Sequence, residues 1–224
     1  MNKLVLFDID KTLIKNSKGH STAFSVAFKK IYCVDTTIDI ISHNGMTDQQ
    51  IIIEVLKKHG LDEQTIKSKI KDCMKVMIDS FKEIVKTDKI IVLNGVPELL
   101  EELYKRNILI GLVTGNLEPI ARCKLEKVGL NHYFKIGGFG SDDINKTNLV
   151  KLAIKRAKKF NFKFSNNVFL VGEALQDMKA GKEAGVKTIG VTTGIYSKEQ
   201  LKNAGADFIL ESLKDKNRFL KIIL

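Results

Sequence analysis

Asp8 and Asp10 are the residues whose spacing most directly suggests chemistry. They follow an apolar run, Leu4-Val5-Leu6-Phe7, that is long enough for one buried parallel strand and too short to span a membrane. Side chains two positions apart on an extended chain share a face. Both carboxylates are therefore expected at the carboxyl end of that strand, the edge where open α/β sheets bind ligands. Two like charges so close are costly unless a cation, or an anionic substrate with its metal, joins them. On this stretch alone an ordinary acidic turn after a strand accounts for the residues equally well.

Other strand ends carry polar groups of a complementary kind. The apolar run 108–113 ends in Thr114-Gly115-Asn116. Lys146 opens a helical pattern, with Lys151 as its rival in a lysine-rich segment. The run 167–171 ends in Gly172-Glu173, and Asp177 follows one helical turn later. Phosphoryl transfer needs such a set: a carboxylate nucleophile, an acid/base near the leaving oxygen, a hydroxyl and N–H groups for phosphoryl oxygens, a neutralising cation, and acids for a hard metal ion. Thr114 could also be only a helix N-cap, and Asp177 only a first-turn acid.

The elements that must position these groups alternate. Apolar runs at 4–7, 108–113, 135–139, 167–171, 187–191 and 207–210 are separated by helical patterns at 96–106, after 116, 146–160, 174–184 and 197–204. This predicts a doubly wound, mostly parallel, Rossmann-like α/β sheet. The exception is a block from about residue 15 to 90 with helical periodicity and no strand signal. Helices are predicted over 18–32, 47–59 and 62–87, the last being one helix or two. Thr47 and Gln50 form a capping-box pattern at the start of the second. The predicted organisation is a core domain of residues 1–14 and 91–224, with residues 15–90 inserted after the first strand as a helical cap.

The chain has 224 residues and a formal net charge of +11. That excess permits acidic partners, but it is carried almost wholly by lysines scattered over amphipathic helices. Only Arg106, Arg122, Arg156 and Arg218 could make the bidentate contacts that base readout favours. Anionic metabolites are thus expected as partners, and no specific nucleic acid. No apolar stretch is long enough for a membrane span, and no signal peptide is evident. Cys33, Cys73 and Cys123 are dispersed and odd in number, which suits a reducing cytoplasm better than a disulfide framework or a zinc site. The chain is expected to be a monomer or a homodimer.

Four segments together carry a resemblance: Asp8-Ile-Asp10-Lys-Thr12, Leu112-Val-Thr114-Gly115-Asn116, Lys146, and Gly172-Glu173-Ala-Leu-Gln-Asp177 with the run that follows to Gly194. In order and spacing they resemble the four motifs of the haloacid dehalogenase-like superfamily, in its phosphatase branch, and are most similar to phosphoglycolate-phosphatase-like hydrolases. The resemblance implies a phosphomonoesterase acting on a small phosphorylated metabolite. A sugar-phosphate mutase, a nucleotidase, or a non-catalytic phosphate-binding relative are the alternatives. It implies Asp8 as nucleophile and Asp10 as acid/base, with Thr114, Gly115 and Asn116 on the phosphoryl group. It also implies Lys146 as the neutralising cation. Mg²⁺ would be held by Asp8, Asp10 (through its carbonyl) and Glu173, with Asp177 placing bound water. The insertion resembles the family's mobile cap, whose substrate-facing loop would present Asn44, Gly45 and Thr47. Two positions depart from the pattern. Lys11 stands where the subgroup usually has Gly. Glu173 stands where Asp is usual, moving the carboxylate by roughly 1.5 Å.

Overall fold

The computed structural model describes residues 3–15, 17–160 and 167–224. Positions 1, 2, 16 and 161–166, which fall within the expected domain spans, lie outside the described residues. The chain begins with β1 (Leu4–Phe7) and β2 (Ile14–Lys15), and continues through α1 (Lys18–Tyr32), α2 (Asp48–Lys58) and α3 (Glu63–Ile84). Next come β3 (Ile91–Val92), α4 (Val96–Lys105), β4 (Leu109–Thr114), α5 (Glu118–Lys127), β5 (Ile136–Phe139) and α6 (Lys146–Lys158). It closes with β6 (Val168–Gly172), α7 (Leu175–Glu183), β7 (Lys187–Val191), α8 (Lys198–Asn203), β8 (Phe208–Leu210) and α9 (Lys216–Ile223).

Six strands form one parallel sheet in the order β5-β4-β1-β6-β7-β8. The first strand in sequence is thus central, which is why all four of its residues are apolar and fully buried. Val5 and Phe7 face one layer with Leu99, Leu103 and Phe219. Leu4 and Leu6 face the other with Leu149, Val150 and Ala153 of α6. This is the period-two alternation of a strand covered on both sides. Phe7 pairs with Leu112 of β4 on one side and Val171 of β6 on the other. The carboxyl ends of these three strands therefore lie at one edge, where the strand order reverses and a crevice opens.

The helices between β2 and β3 bury a cluster of their own, including Phe24, Phe28, Ile52, Leu56, Met77 and Phe81. Leu117 and Ile120 at the start of α5 join that cluster, so the insertion rests on a helix of the core. α3 is one helix, N-capped by Asp62, whose Oδ1 accepts from the Thr65 N–H at 2.8 Å. α2 starts at the expected capping box of Thr47 and Gln50. One feature departs from expectation. β2 and β3 form a two-residue antiparallel ribbon, pairing Ile14 with Val92 and Lys15 with Ile91, where the chain leaves and re-enters the core. A pair that short carries too little alternation to read as strands. Among the described residues, no helix is long and apolar enough to cross a membrane.

Candidate active site

The Asp8 N–H donates to the Val171 carbonyl at 2.9 Å, so the Asp8 backbone is fixed at the end of the central strand. The chain then turns tightly. Lys11 N–H donates to Ile14 O at 2.7 Å and Leu13 N–H to Ile9 O at 2.8 Å. Within this turn Lys11 has φ 59°, a left-handed conformation in which a non-glycine residue costs on the order of 1 kcal/mol or more.

Asp8 is buried, and Lys146 Nζ lies 3.2 Å from its Oδ1 and 2.6 Å from Asp177 Oδ1. Lys146 is the first residue of α6, behind the N-cap Asn145. Lys151 is exposed on the same helix, so of the two candidates Lys146 is the one beside Asp8. Asp177 is fully buried, and its Oδ2 accepts from the Ala174 N–H at 2.9 Å. Burial opposes charge on Lys146, but Asp177 and Asp8 hold its ammonium above the ordinary lysine range.

Glu173 follows β6 and is buried. Its Oε2 has no hydrogen-bond partner. The carboxylate occupies the space a Cβ on Gly194 would fill. Burial, and then the Asp177 carboxylate, push Glu173 up to about 7, against the opposing charges of Lys11 and Lys146. Asp8 is raised to about 8: burial dominates, Lys146 works against it, and Asp177, Asp10 and Glu173 add to it.

Asp10 has the opposite environment. Lys124 Nζ donates to both its oxygens, at 2.9 and 2.7 Å, and Asn116 Nδ2 donates to Oδ2 at 2.9 Å. Burial alone would raise the Asp10 carboxyl, but the Lys124 charge and the hydrogen bonds from Lys124 and Asn116 hold it below its ordinary range. Lys124 is only 1 % exposed and also donates to Asn116 Oδ1 at 2.6 Å. It further contacts His20 Nδ1 at 3.0 Å. An ammonium can only donate, so Nδ1 accepts and the Nε2–H is left for Asp48 Oδ2, 3.2 Å away. Asp48 Oδ2 also accepts from the Leu117 N–H at 2.8 Å. The chain Asp10–Lys124–His20–Asp48 thus runs from the β1 edge into α1 and α2.

A cavity of about 250 Å³ lies between the strand ends and the inserted helices. Asp8, Asp10, Asn116, Lys146, Glu173 and Asn44 are among its walls. A larger open hollow of about 620 Å³ near Val92 and Asn217 contains none of the strand-end acids. The loop before α2 closes over the edge at Gly115, where a side chain would meet the Met46 carbonyl and no residue but glycine fits. The Asp48 N–H donates to Gly115 O at 2.8 Å. Gly45, at φ 77°, packs beside Gln176 and Ala174.

Of the residues expected at the site, Gly115 and Asn116 border the cavity, but three others do not. Thr114 is fully buried at the end of β4, its Oγ1 accepting from the Asn116 N–H at 3.3 Å; the cap of α5 is Leu117, not Thr114. Thr47 is fully buried as the N-cap of α2 and donates to Ile144 O at 3.2 Å, which turns its hydroxyl away from a substrate. Asp177 lies behind Lys146. Sequence reasoning missed Lys124, His20 and Asp48. The signal for Lys124 was its place among Ile120, Ala121 and Leu125, the buried face of α5.

The acids suit a hard divalent cation. Glu173 offers an unpartnered buried oxygen, and burial, the main cause of the raised Asp8 and Glu173 carboxyls, opposes negative charges that a bound cation would stabilise. Among the described residues, no three His, Cys, Asp or Glu side chains are gathered closely enough to enclose an ion by themselves.

Residues 5–191 match the family model described as haloacid dehalogenase-like hydrolase. The chain is 25% identical over 213 residues to a pyrophosphatase PpaX from Listeria monocytogenes, covering 94% of this chain and 93% of that protein. It is 23% identical over 235 residues to a phosphoglycolate phosphatase from Salmonella typhi, covering 96% and 93%. Among solved structures it superposes on a hydrolase from Pseudomonas syringae with a TM-score of 0.73 at 21% identity, over 100% of this chain and 99% of that one. It superposes equally on CbbY from Rhodobacter sphaeroides in complex with phosphate, TM-score 0.73 at 19% identity, over 96% of each chain.

Proposed function

The chain belongs to the haloacid dehalogenase-like hydrolases, and we propose that it is a Mg²⁺-dependent phosphatase of small phosphorylated metabolites that works through an aspartyl-phosphate. The observation that carries this reading is Asp8, fixed at the end of the central strand beside Lys146, sharing one cavity with a second carboxylate on a separate cation.

An Asp8 oxygen attacks phosphorus, and the bond from phosphorus to the leaving oxygen breaks. Where that oxygen needs a proton, it takes one from the carboxylic acid form of Asp10. Lys146 offsets the charge between Asp8 and the phosphoryl oxygens, and the Gly115 and Asn116 backbone and side chain orient the group. In the second half Asp10 removes a proton from water, whose oxygen attacks the phosphoryl group and frees Asp8. Asp8, the Asp10 carbonyl and Glu173 would hold Mg²⁺, with Asp177 behind them; when bound, it neutralises charge on the phosphoryl oxygens. Residues 15–90 act as a mobile cap on the core of 1–14 and 91–224. The cap excludes water and reads the rest of the substrate. Three free cysteines are in keeping with a reducing cytoplasm.

Phosphoglycolate is the first substrate candidate, from the motif pattern and from the name of one relative. The grip of Lys124 on Asp10 favours a second. It holds the carboxyl ionised, ready as a base and poor as an acid. Such an arrangement favours leaving groups that need little protonation, such as the phosphate released from pyrophosphate. The test is hydrolysis of nitrophenyl phosphate with and without Mg²⁺. Metal-dependent turnover is expected, reduced by roughly 10⁴-fold or more in Asp8→Ala. Undiminished turnover in that variant, or none in the intact protein, would reject the reading.

A further inference from the structure

Lys11 is set into the catalytic turn at a place where its backbone conformation favours glycine. Its backbone is held on both sides: the N–H donates to Ile14 O, and the carbonyl accepts from Thr193 Oγ1. A lysine kept in a left-handed turn by such bonds presents a side chain that glycine would lack. That side chain lies on the cavity wall, with Nζ 2.7 Å from Asn44 Oδ1 in the loop before α2.

The charges around the cavity are mostly committed. Lys146 is paired with Asp8 and Asp177, and Lys124 with Asp10. Asp48 is taken by His20 and the Leu117 N–H. Lys11 differs. Among the described residues no carboxylate lies within ion-pair distance of it, its charge reaches the Glu173 carboxylate only from beyond that distance, and its one side-chain hydrogen-bond partner is a neutral amide. Lys15 is similarly unpaired at the exposed rim of the same cavity. A half-buried ammonium satisfied only by an amide gains more from an anion, which forms the shorter, charge-assisted bond. Asn44 would then serve as a second polar contact on the same group.

We propose that Lys11 binds a second anionic group on the substrate, so that the preferred substrates are small phosphates carrying a carboxylate or a further phosphoryl group. The cavity's volume of about 250 Å³ accommodates molecules of that size. Lys11 has this part only if Asp8 receives the phosphoryl group, as in the proposed function.

The experiment compares kcat/KM, with Mg²⁺ present, for phosphoglycolate, inorganic pyrophosphate and nitrophenyl phosphate in the intact protein and in Lys11→Arg, Lys11→Gln and Lys11→Gly. Glycine suits the turn, so that variant tests charge loss without a folding penalty. Glutamine removes the charge and keeps a hydrogen-bond donor, one atom nearer the backbone than the lysine Nζ. Lys11→Gln and Lys11→Gly are expected to lower the ratio of kcat/KM for substrates with two anionic groups to that for nitrophenyl phosphate, which has one, by about tenfold, mostly through KM, and Lys11→Arg to preserve it. The phosphoglycolate and pyrophosphate arms show whether the second group is a carboxylate or a phosphoryl. An equal fall on all three substrates would make Lys11 only a latch to the Asn44 loop and overturn the proposal. So would a ratio unchanged in Lys11→Gln. Turnover of none of the three by the intact protein would instead overturn the phosphatase reading itself.

Discussion

At the scale of single residues, Glu173 shows how one longer side chain is accommodated. An aspartate at its position would stop a methylene short. The glutamate reaches further, and Gly194 leaves open the space into which its carboxylate extends. Gly194 does not have a positive φ, so its backbone would accept alanine without strain. Gly194→Ala should therefore act mainly by pushing the Glu173 side chain aside. The expected result is a rise of about tenfold in the Mg²⁺ concentration needed for half-maximal activity, with a stability loss of about 1–3 kcal/mol from overpacking. Adding Glu173→Asp shortens the displaced side chain and should restore part of the metal response. The metal titration of both variants checks this, and an unchanged midpoint in Gly194→Ala would remove Glu173 from the ion's ligands. The strand-end residues Asp8, Asp10, Lys146 and Glu173 were legible because their chemistry stands directly against strand and helix boundaries. Lys124 and His20 were not, since a lysine in a lysine-rich helix reads as solvent-facing until its apolar neighbours are counted.

At the scale of elements, the start of α2 is the joint between the inserted helices and the sheet. Thr47 Oγ1 accepts from the Gln50 N–H at 3.3 Å and donates to Ile144 O at 3.2 Å, while Gln50 Oε1 accepts from the Thr47 N–H at 3.0 Å. One hydroxyl thus caps a helix and ties it to the loop before α6. Thr47→Val keeps the shape and removes both bonds. Loss of the cap costs about 1 kcal/mol, and loss of the hydrogen bond to the Ile144 carbonyl adds a comparable amount. A destabilisation of about 2 kcal/mol by urea unfolding is expected, with faster amide exchange in α2 than in β1 or β6. Exchange that rises equally in the sheet would contradict a joint confined to this corner. The capping box was readable from Thr47 and Gln50 alone, because its chemistry is local. The tie to Ile144 was not, because it joins residues far apart in the chain. The β2–β3 ribbon was hidden for a similar reason: two residues per strand leave no period to detect.

At the scale of the whole molecule, alternating apolar runs and amphipathic helices made the parallel sheet legible, but not the position of β1 at its centre. That position concentrates buried acids at one edge and gives the protein a pH signature. Asp8, at about 8, and Glu173, at about 7, bind protons more tightly in the folded chain than at their ordinary values of 3.8 and 4.5. Between those limits the native state holds protons that the unfolded chain has released, so this cluster's contribution to stability falls as pH rises from about 4 to about 8. Asp10 has the opposite sign. Its carboxyl is held below the ordinary range, and its contribution is present above about pH 4 and is lost on further acidification. Mg²⁺ competes with protons for Asp8 and Glu173 but has no such competition at Asp10, whose side chain is taken by Lys124. The gain in melting temperature on adding Mg²⁺ should therefore be small at about pH 5 and grow steadily to about pH 8.5, as the two carboxyls lose their protons. Melting curves with and without the ion across that range measure it directly. A gain independent of pH would mean that the ion binds groups already ionised in the folded chain, and would move the metal site away from the end of β1.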